Sequence, residues 1–106
     1  MDWVKVFSDV DEARRRIGEK KPQLVIIGQF RICLIRFDDN FAAIQDACTH
    51  NGESLSKGHV NYLGEIICPW HNYCFDVKGG KEINDRSSPL RTYPIKIDQT
   101  GFFIGI

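Results

Sequence analysis

Cys48-Thr49-His50-Asn51-Gly52 and Cys68-Pro69-Trp70-His71, with seventeen residues between the first histidine and the second cysteine, form the stretch on which this sequence turns. Each pair follows a β-rich run. Each also places one thiolate and one imidazole, at one- or two-residue spacing, on a loop short enough for both to aim at a metal. Between the pairs, the runs Lys57 to Tyr62 and Glu65 to Cys68 flank Leu63-Gly64 as a hairpin, which brings the second loop back to the first. Ordinary finger spacing groups cysteines with cysteines and histidines with histidines, whereas here each loop contributes one of each. A structural zinc site takes the same four donors, so on these residues alone zinc stays open.

Working outward, the same β-rich punctuation continues in both directions. Upstream, Leu24 to Gln29, Arg31 to Phe37 with alternating Cys33, Ile35 and Phe37, and Phe41 to Ala47 across the turn Asp38-Asp39-Asn40 predict a strand meander. Downstream, Phe75 to Val77 and Lys81 to Ile83 flank Lys78-Gly79-Gly80, and the loop Asn84 to Leu90 holds Pro89. The chain then closes with Thr92 to Asp98, the turn Gln99-Thr100-Gly101 and Phe102 to Ile106. One short helix is expected near the N-terminus. Ser8 or Asp9 caps it with Glu12 as capping-box partner, Val10, Ala13 and Ile17 share a face, and Gly18 and Pro22 stop it. Strands this short and regularly spaced predict an all-β fold, a sandwich or barrel.

Length and charge narrow the function. The 106 residues suffice for one domain, expected to span 1–106, and leave no room for a second catalytic domain. Apolar residues at 42% and charged residues at 26% match a chain that buries a core. Fourteen basic against fourteen acidic side chains supply no basic stripe for phosphates and no polybasic membrane patch, which excludes nucleic acid as the expected partner. Arg14-Arg15-Arg16, interleaved with Asp11, Glu12 and Glu19, reads as a solvated helix face. No run is long enough to span a bilayer, and Met1-Asp2-Trp3-Val4-Lys5 lacks a signal-peptide layout, so the expected location is the cytoplasm.

The two loops with their flanks resemble the signature of the Rieske iron–sulfur family. The likeness runs through Cys48-Thr49-His50-Asn51-Gly52, Leu55-Ser56-Lys57-Gly58, Cys68-Pro69-Trp70-His71, Phe75-Asp76 and Gly79-Gly80. The resemblance implies a Rieske-like β-sandwich or barrel with a cluster-binding subdomain and a 2Fe-2S cofactor. It further implies that Cys48 and Cys68 hold the buried iron, that His50 and His71 hold the outer one, and that Pro89 lies in a third loop covering the cluster. Two imidazoles in place of two thiolates remove negative charge and raise the potential relative to all-cysteine clusters. Gly52 is expected to free a backbone position for positive φ so that amides turn toward sulfur, and Pro69 to stiffen the second loop.

High-potential members carry a disulfide between the cluster loops; Glu53 and Trp70 stand in those places here, so the resemblance implies a low-potential type. His59 lies on the hairpin without a partner at ligand spacing, and Cys33, on an apolar strand face, reads as a small buried hydrophobe. Cys74 is expected to pack under the second loop. Trp70, Tyr73 and Pro89 are candidates for an apolar docking surface.

The function implied is one-electron transfer by a Rieske-type ferredoxin, from an NAD(P)H-dependent flavin reductase to an oxygenase of the ring-hydroxylating type. The rivals are a small redox subunit of a nitrite-reductase-like or other larger enzyme, and a cluster-based sensor or zinc-held interaction module.

Overall fold

A computed structural model describes all residues, 1–106, as ten short strands, one helix and a 3-10 turn. The strands form three sheets, with the order β1-β10-β9 in the first, β2-β3-β4-β8 in the second and β5-β6-β7 in the third. Their ranges are β1 Trp3–Phe7, β2 Gln23–Ile27, β3 Phe30–Phe37, β4 Asn40–Gln45 and β5 His59–Val60. The remainder are β6 Glu65–Ile67, β7 Cys74–Asp76, β8 Thr92–Tyr93, β9 Ile95–Asp98 and β10 Gly101–Gly105. Every strand-to-strand ladder is antiparallel, as a meander with short turns requires.

The helix α1, Val10–Arg16, starts as its sequence dictates. Asp9 is the N-cap, its carboxylate accepting the Glu12 N–H at 2.8 Å, while Glu12 reaches back to accept the Ser8 N–H at 2.8 Å. Ala13 and Ile17 are buried against β1 and β10, and Val10 is half-buried.

The central feature is β3, in which Ile32, Cys33, Leu34 and Ile35 are all fully buried. Period-2 alternation sends Ile32 and Leu34 into one core with Phe7, Ala13, Tyr93, Phe102 and Ile104. Cys33 and Ile35 go into another with Cys48, Leu55, Ile66, Cys68 and Phe75. The sheet is thus a wall between two cores, and the second core carries both cysteines of the sequence motif.

Several expected elements differ in detail. Trp3–Phe7 forms a strand, although its alternating exposed and half-buried residues gave no clear signal; it is held by pairing with β10. Lys57 to Tyr62 contributes only the two residues of β5, because the chain enters it from the 3-10 turn at Leu55–Lys57. Lys81 to Ile83 is no strand: it makes one bridge, Phe75 to Glu82. Thr92 to Asp98 is divided at Pro94, which lacks a donor, so Thr92 and Tyr93 pair with β4 and residues 95–98 pair with β10.

Candidate metal centre

The first loop leaves β4 and is tied down by a buried carboxylate. Asp46 is 1% exposed and accepts the hydroxyl of Ser54 and the Ser56 N–H at 2.9 Å, while its carbonyl accepts the Leu55 N–H at 2.7 Å. These bonds fold residues 46–56 into a closed turn with Cys48 at its inner edge. Gly52 has φ +80, a conformation favouring glycine, but its amide donates to the Cys48 carbonyl at 2.7 Å. The loop amide that turns toward sulfur is the His50 N–H, which donates to Cys48 Sγ at 3.4 Å.

The second loop runs between β6 and β7 and turns through two consecutive left-handed residues, His71 at φ 64 and Asn72 at φ 56. Neither is glycine, so the turn stores strain that the surrounding bonds must hold. The Cys68 N–H donates to the Tyr73 carbonyl at 2.8 Å and closes the loop.

The structure brings all four predicted residues together at the ends of these loops. Cys48 and Cys68 are buried, 2% and 0% exposed, in the same core. His50 is half-buried and His71 exposed, with ring centroids 5.3 Å apart at 72°. The donors are thus arranged as a cysteine pair inside and a histidine pair outside. The same four donor types also serve zinc, so the donor set alone does not choose the metal. Two like pairs suit two metals joined by bridging atoms.

A further mark of a metal centre is the Nδ1 atom of His50, which is buried without any hydrogen-bond partner. Buried ring nitrogens in folded proteins find partners, and an orphan calls for a specific explanation such as a ligand bond. Burial, with the neighbouring Cys48 adding to it, pushes the Cys68 thiol up to about 11 against a backbone hydrogen bond from Trp70. A metal must therefore displace the proton.

Around this centre lies a shell that the sequence did not announce. Thr49, read only as a spacer, accepts from or donates to Ser87 at 2.7 Å and donates to the Ser88 carbonyl at 2.5 Å, lacing the first loop to the segment that holds Pro89. Tyr73 stacks on His50, with centroids 3.8 Å apart and 9° between planes, and the Arg86 guanidinium lies 4.1 Å from the Tyr73 centroid. Tyr73 therefore belongs to the centre, while Trp70, 57% exposed, and Pro89 remain at the surface.

Glu82 is fully buried and accepts five hydrogen bonds: from the N–H groups of Cys74, Asn84 and Arg86 at 3.2, 3.0 and 2.9 Å, and from Arg86 Nε and Nη2 at 3.2 and 2.8 Å. The Arg86 side chain foremost, with these backbone donors, overcomes burial and lowers its carboxyl to about 2. No periodicity pointed to it, since in Lys81-Glu82-Ile83 the carboxylate faces inward and Ile83 is 44% exposed. Asp46 was equally silent in the sequence.

The remaining cysteines stay apart. Cys33 is buried on β3, and burial first, then Asp46, push its thiol up. Cys74 is half-buried, its thiol raised by burial and then by Glu65. All four cysteines are free, so no disulfide joins the loops. His59 is exposed on β5.

A β-fold that brings two buried cysteines and two outward histidines together from paired loops has the donor types of a binuclear iron–sulfur centre. The profile of the Rieske [2Fe-2S] domain matches residues 3–94, and the chain belongs to that family, with a 2Fe-2S cluster as its cofactor. Among curated relatives it is 32% identical over 79 residues to the ferredoxin component of the alkene monooxygenase system of Xanthobacter autotrophicus, covering 74% of this chain and 65% of that one. It is 33% identical over 76 residues to the 3-phenylpropionate/cinnamic acid dioxygenase ferredoxin subunit of Escherichia coli K12, covering 71% and 72%. The fold matches that of the ferredoxin of carbazole 1,9a-dioxygenase from Nocardioides aromaticivorans, with a TM-score of 0.81, 23% identity and coverage of 99% and 98%. These relatives are ferredoxin components of oxygenase systems. No helix in it is long and apolar enough to cross a membrane.

Proposed function

We propose that Cys48, His50, Cys68 and His71 hold the cluster, the cysteines on the inner iron and the histidines on the outer one. We further propose that the chain works as one domain, 1–106, in the cytoplasm. There it would carry single electrons from an NAD(P)H-dependent flavin reductase to an oxygenase of the ring-hydroxylating or a related type. When bound, the cluster supplies one-electron uptake and release near neutral pH. The observation that carries the reading is the arrangement of donors: buried thiolates, outward imidazoles and an orphaned Nδ1 on His50.

The residues divide the work. Cys48 and Cys68 sit in the core with Phe75, Leu55 and Ile66, which excludes water from the inner side of the centre. His71 is exposed and edge-on to Trp70, with ring centroids 6.2 Å apart, so a docked partner meets an imidazole and an indole first. Asp46 and Glu82 hold the loops in place. The relatives named above are ferredoxin parts of oxygenase systems, which supports the oxygenase as acceptor.

The test is reconstitution. Loaded protein is reduced by NADH through a flavin reductase, then mixed with the terminal component of an alkene monooxygenase or arylpropionate dioxygenase in a stopped-flow instrument. Reoxidation of one electron per protein, with no fixed stoichiometric complex on purification, supports the reading. Co-purification at constant ratio with a larger enzyme would replace the diffusible carrier by a bound redox subunit.

A further inference from the structure

We propose that Tyr73, clamped by Arg86, is a positioning residue that fixes the plane of the His50 imidazole at the centre. The inference rests on His50 being a ligand, as proposed above. The two rings lie 3.8 Å apart and 9° from parallel. Two uncharged rings prefer an offset or edge-on arrangement, so a close face-to-face stack needs something to hold it. The Arg86 guanidinium supplies that hold, 4.1 Å from the Tyr73 centroid. Two planar groups at these separations cannot share one face, so the phenol ring lies between the guanidinium and the imidazole.

The clamp is itself anchored. Arg86 Nε and Nη2 donate to the two oxygens of fully buried Glu82 at 3.2 and 2.8 Å, a fork that fixes the guanidinium plane. Glu82 is held in turn by the Cys74 and Asn84 amides. Tyr73 is pinned at its backbone, where its carbonyl accepts the Cys68 N–H at 2.8 Å. A continuous column thus runs from Glu82 through Arg86 and Tyr73 to His50.

The column matters because of what His50 lacks. Its buried Nδ1 has no hydrogen-bond partner to set the ring's rotation. The donor lone pair of an imidazole lies in the ring plane, so the direction in which that nitrogen can bind follows the plane, and Tyr73 sets the plane. His71 meets His50 only edge-on. The phenol ring, not its hydroxyl, does the positioning.

The experiment uses loaded, reduced protein and pulsed EPR, which resolves the nitrogen couplings of individual imidazoles, together with the reduction potential. Tyr73→Phe is expected to superimpose on wild type with two nitrogen couplings. Tyr73→Leu should shift and broaden one of them, leave the other in place, and move the potential. Arg86→Met should produce the same one-sided shift with the tyrosine still present, and it decides the matter if Tyr73→Leu takes up no iron. Unchanged couplings in the loaded Leu and Met variants, or a Phe variant as disturbed as Leu, would overturn the proposal. His50→Ala separates this from the ligand assignment: retention of two nitrogen couplings there would overturn the ligation, whereas loss of one, or of the cluster, upholds it.

Discussion

Replacing Glu82 by glutamine keeps its shape and removes its charge, and it tests how the cluster loops are held. The carboxylate is fully buried and accepts five hydrogen bonds from three residues in two segments. Its carboxyl is lowered from an ordinary 4.5 to about 2, first by Arg86. At 1.36 kcal/mol per pH unit, that depression corresponds to a ceiling of about 3 kcal/mol. The Arg86 side chain is 38% exposed, so solvent screening reduces the realised value to about 1–2 kcal/mol.

Because the folded-state value lies below the unfolded one, this stability is fully present above pH 4.5 and drains away as pH falls toward 2. Glu82→Gln should therefore melt roughly 5–15 °C below wild type at pH 7, at about 4–8 °C per kcal/mol for a domain this size. The gap should narrow between pH 4.5 and the acid limit at which the loaded protein still melts reversibly. Thermal melts by circular dichroism across that range supply the comparison. Equal midpoints at pH 7, or a gap that does not shrink in acid, would show that Glu82 is not a charged anchor.

Other outcomes follow from the same geometry. Cys48→Ser or Cys68→Ser should lose the cluster, because an alkoxide is a poor substitute for thiolate on iron, and normal iron and labile sulfide in either variant would refute the ligand set. Gly80 has φ +79 and an added Cβ would meet the Leu90 carbonyl oxygen at 2.4 Å, so Gly80→Ala should cost at least about 1–2 kcal/mol in denaturant titrations. Electron-transfer rates should vary weakly with salt: the chain has no net charge, and Glu53, a carboxylate of the first loop, already faces Lys57 Nζ at 3.7 Å. The potential should fall below zero, toward about −150 mV, with no disulfide and no hydroxyl at Phe75. Phe75→Tyr should raise it by tens of millivolts within a ceiling of about 65–130 mV per charged hydrogen bond, and voltammetry showing no rise in the loaded variant would place the control elsewhere.

What the sequence made legible was the part written in residue type and spacing. The mixed loops located the centre, Asp9 and Glu12 set the helix start, and the alternation through Cys33, Ile35 and Phe37 marked the central strand. What it hid depends on contacts between distant residues. The first strand has little intrinsic pattern and exists because β10 lies beside it. Pro94 was visible, yet only the sheets around it show that it divides one apparent strand between two of them. Asp46 and Glu82 look like ordinary surface acids, and their burial follows from amides supplied by the loops they hold. The Tyr73–His50 stack joins residues whose neighbourhood is set by loop closure, which no local periodicity encodes.

The second sheet also shows where the chain tolerates change. The backbone leaves β4 at Gln45 and returns at Arg91, and these two residues are bonded to each other: the Gln45 N–H donates to the Arg91 carbonyl at 2.8 Å, and the Arg91 N–H to Gln45 Oε1 at 2.7 Å. Residues 46–90, including both metal loops, are thus a closed excursion from a scaffold whose strands meet beneath it. Once such a loop is shut at its base, each doubling of its length adds only about 0.6 kcal/mol of closure cost. A graft between these two residues would have to bring its own apolar cover for Cys33, Ile35 and Ile44, the face of the sheet that the native excursion buries.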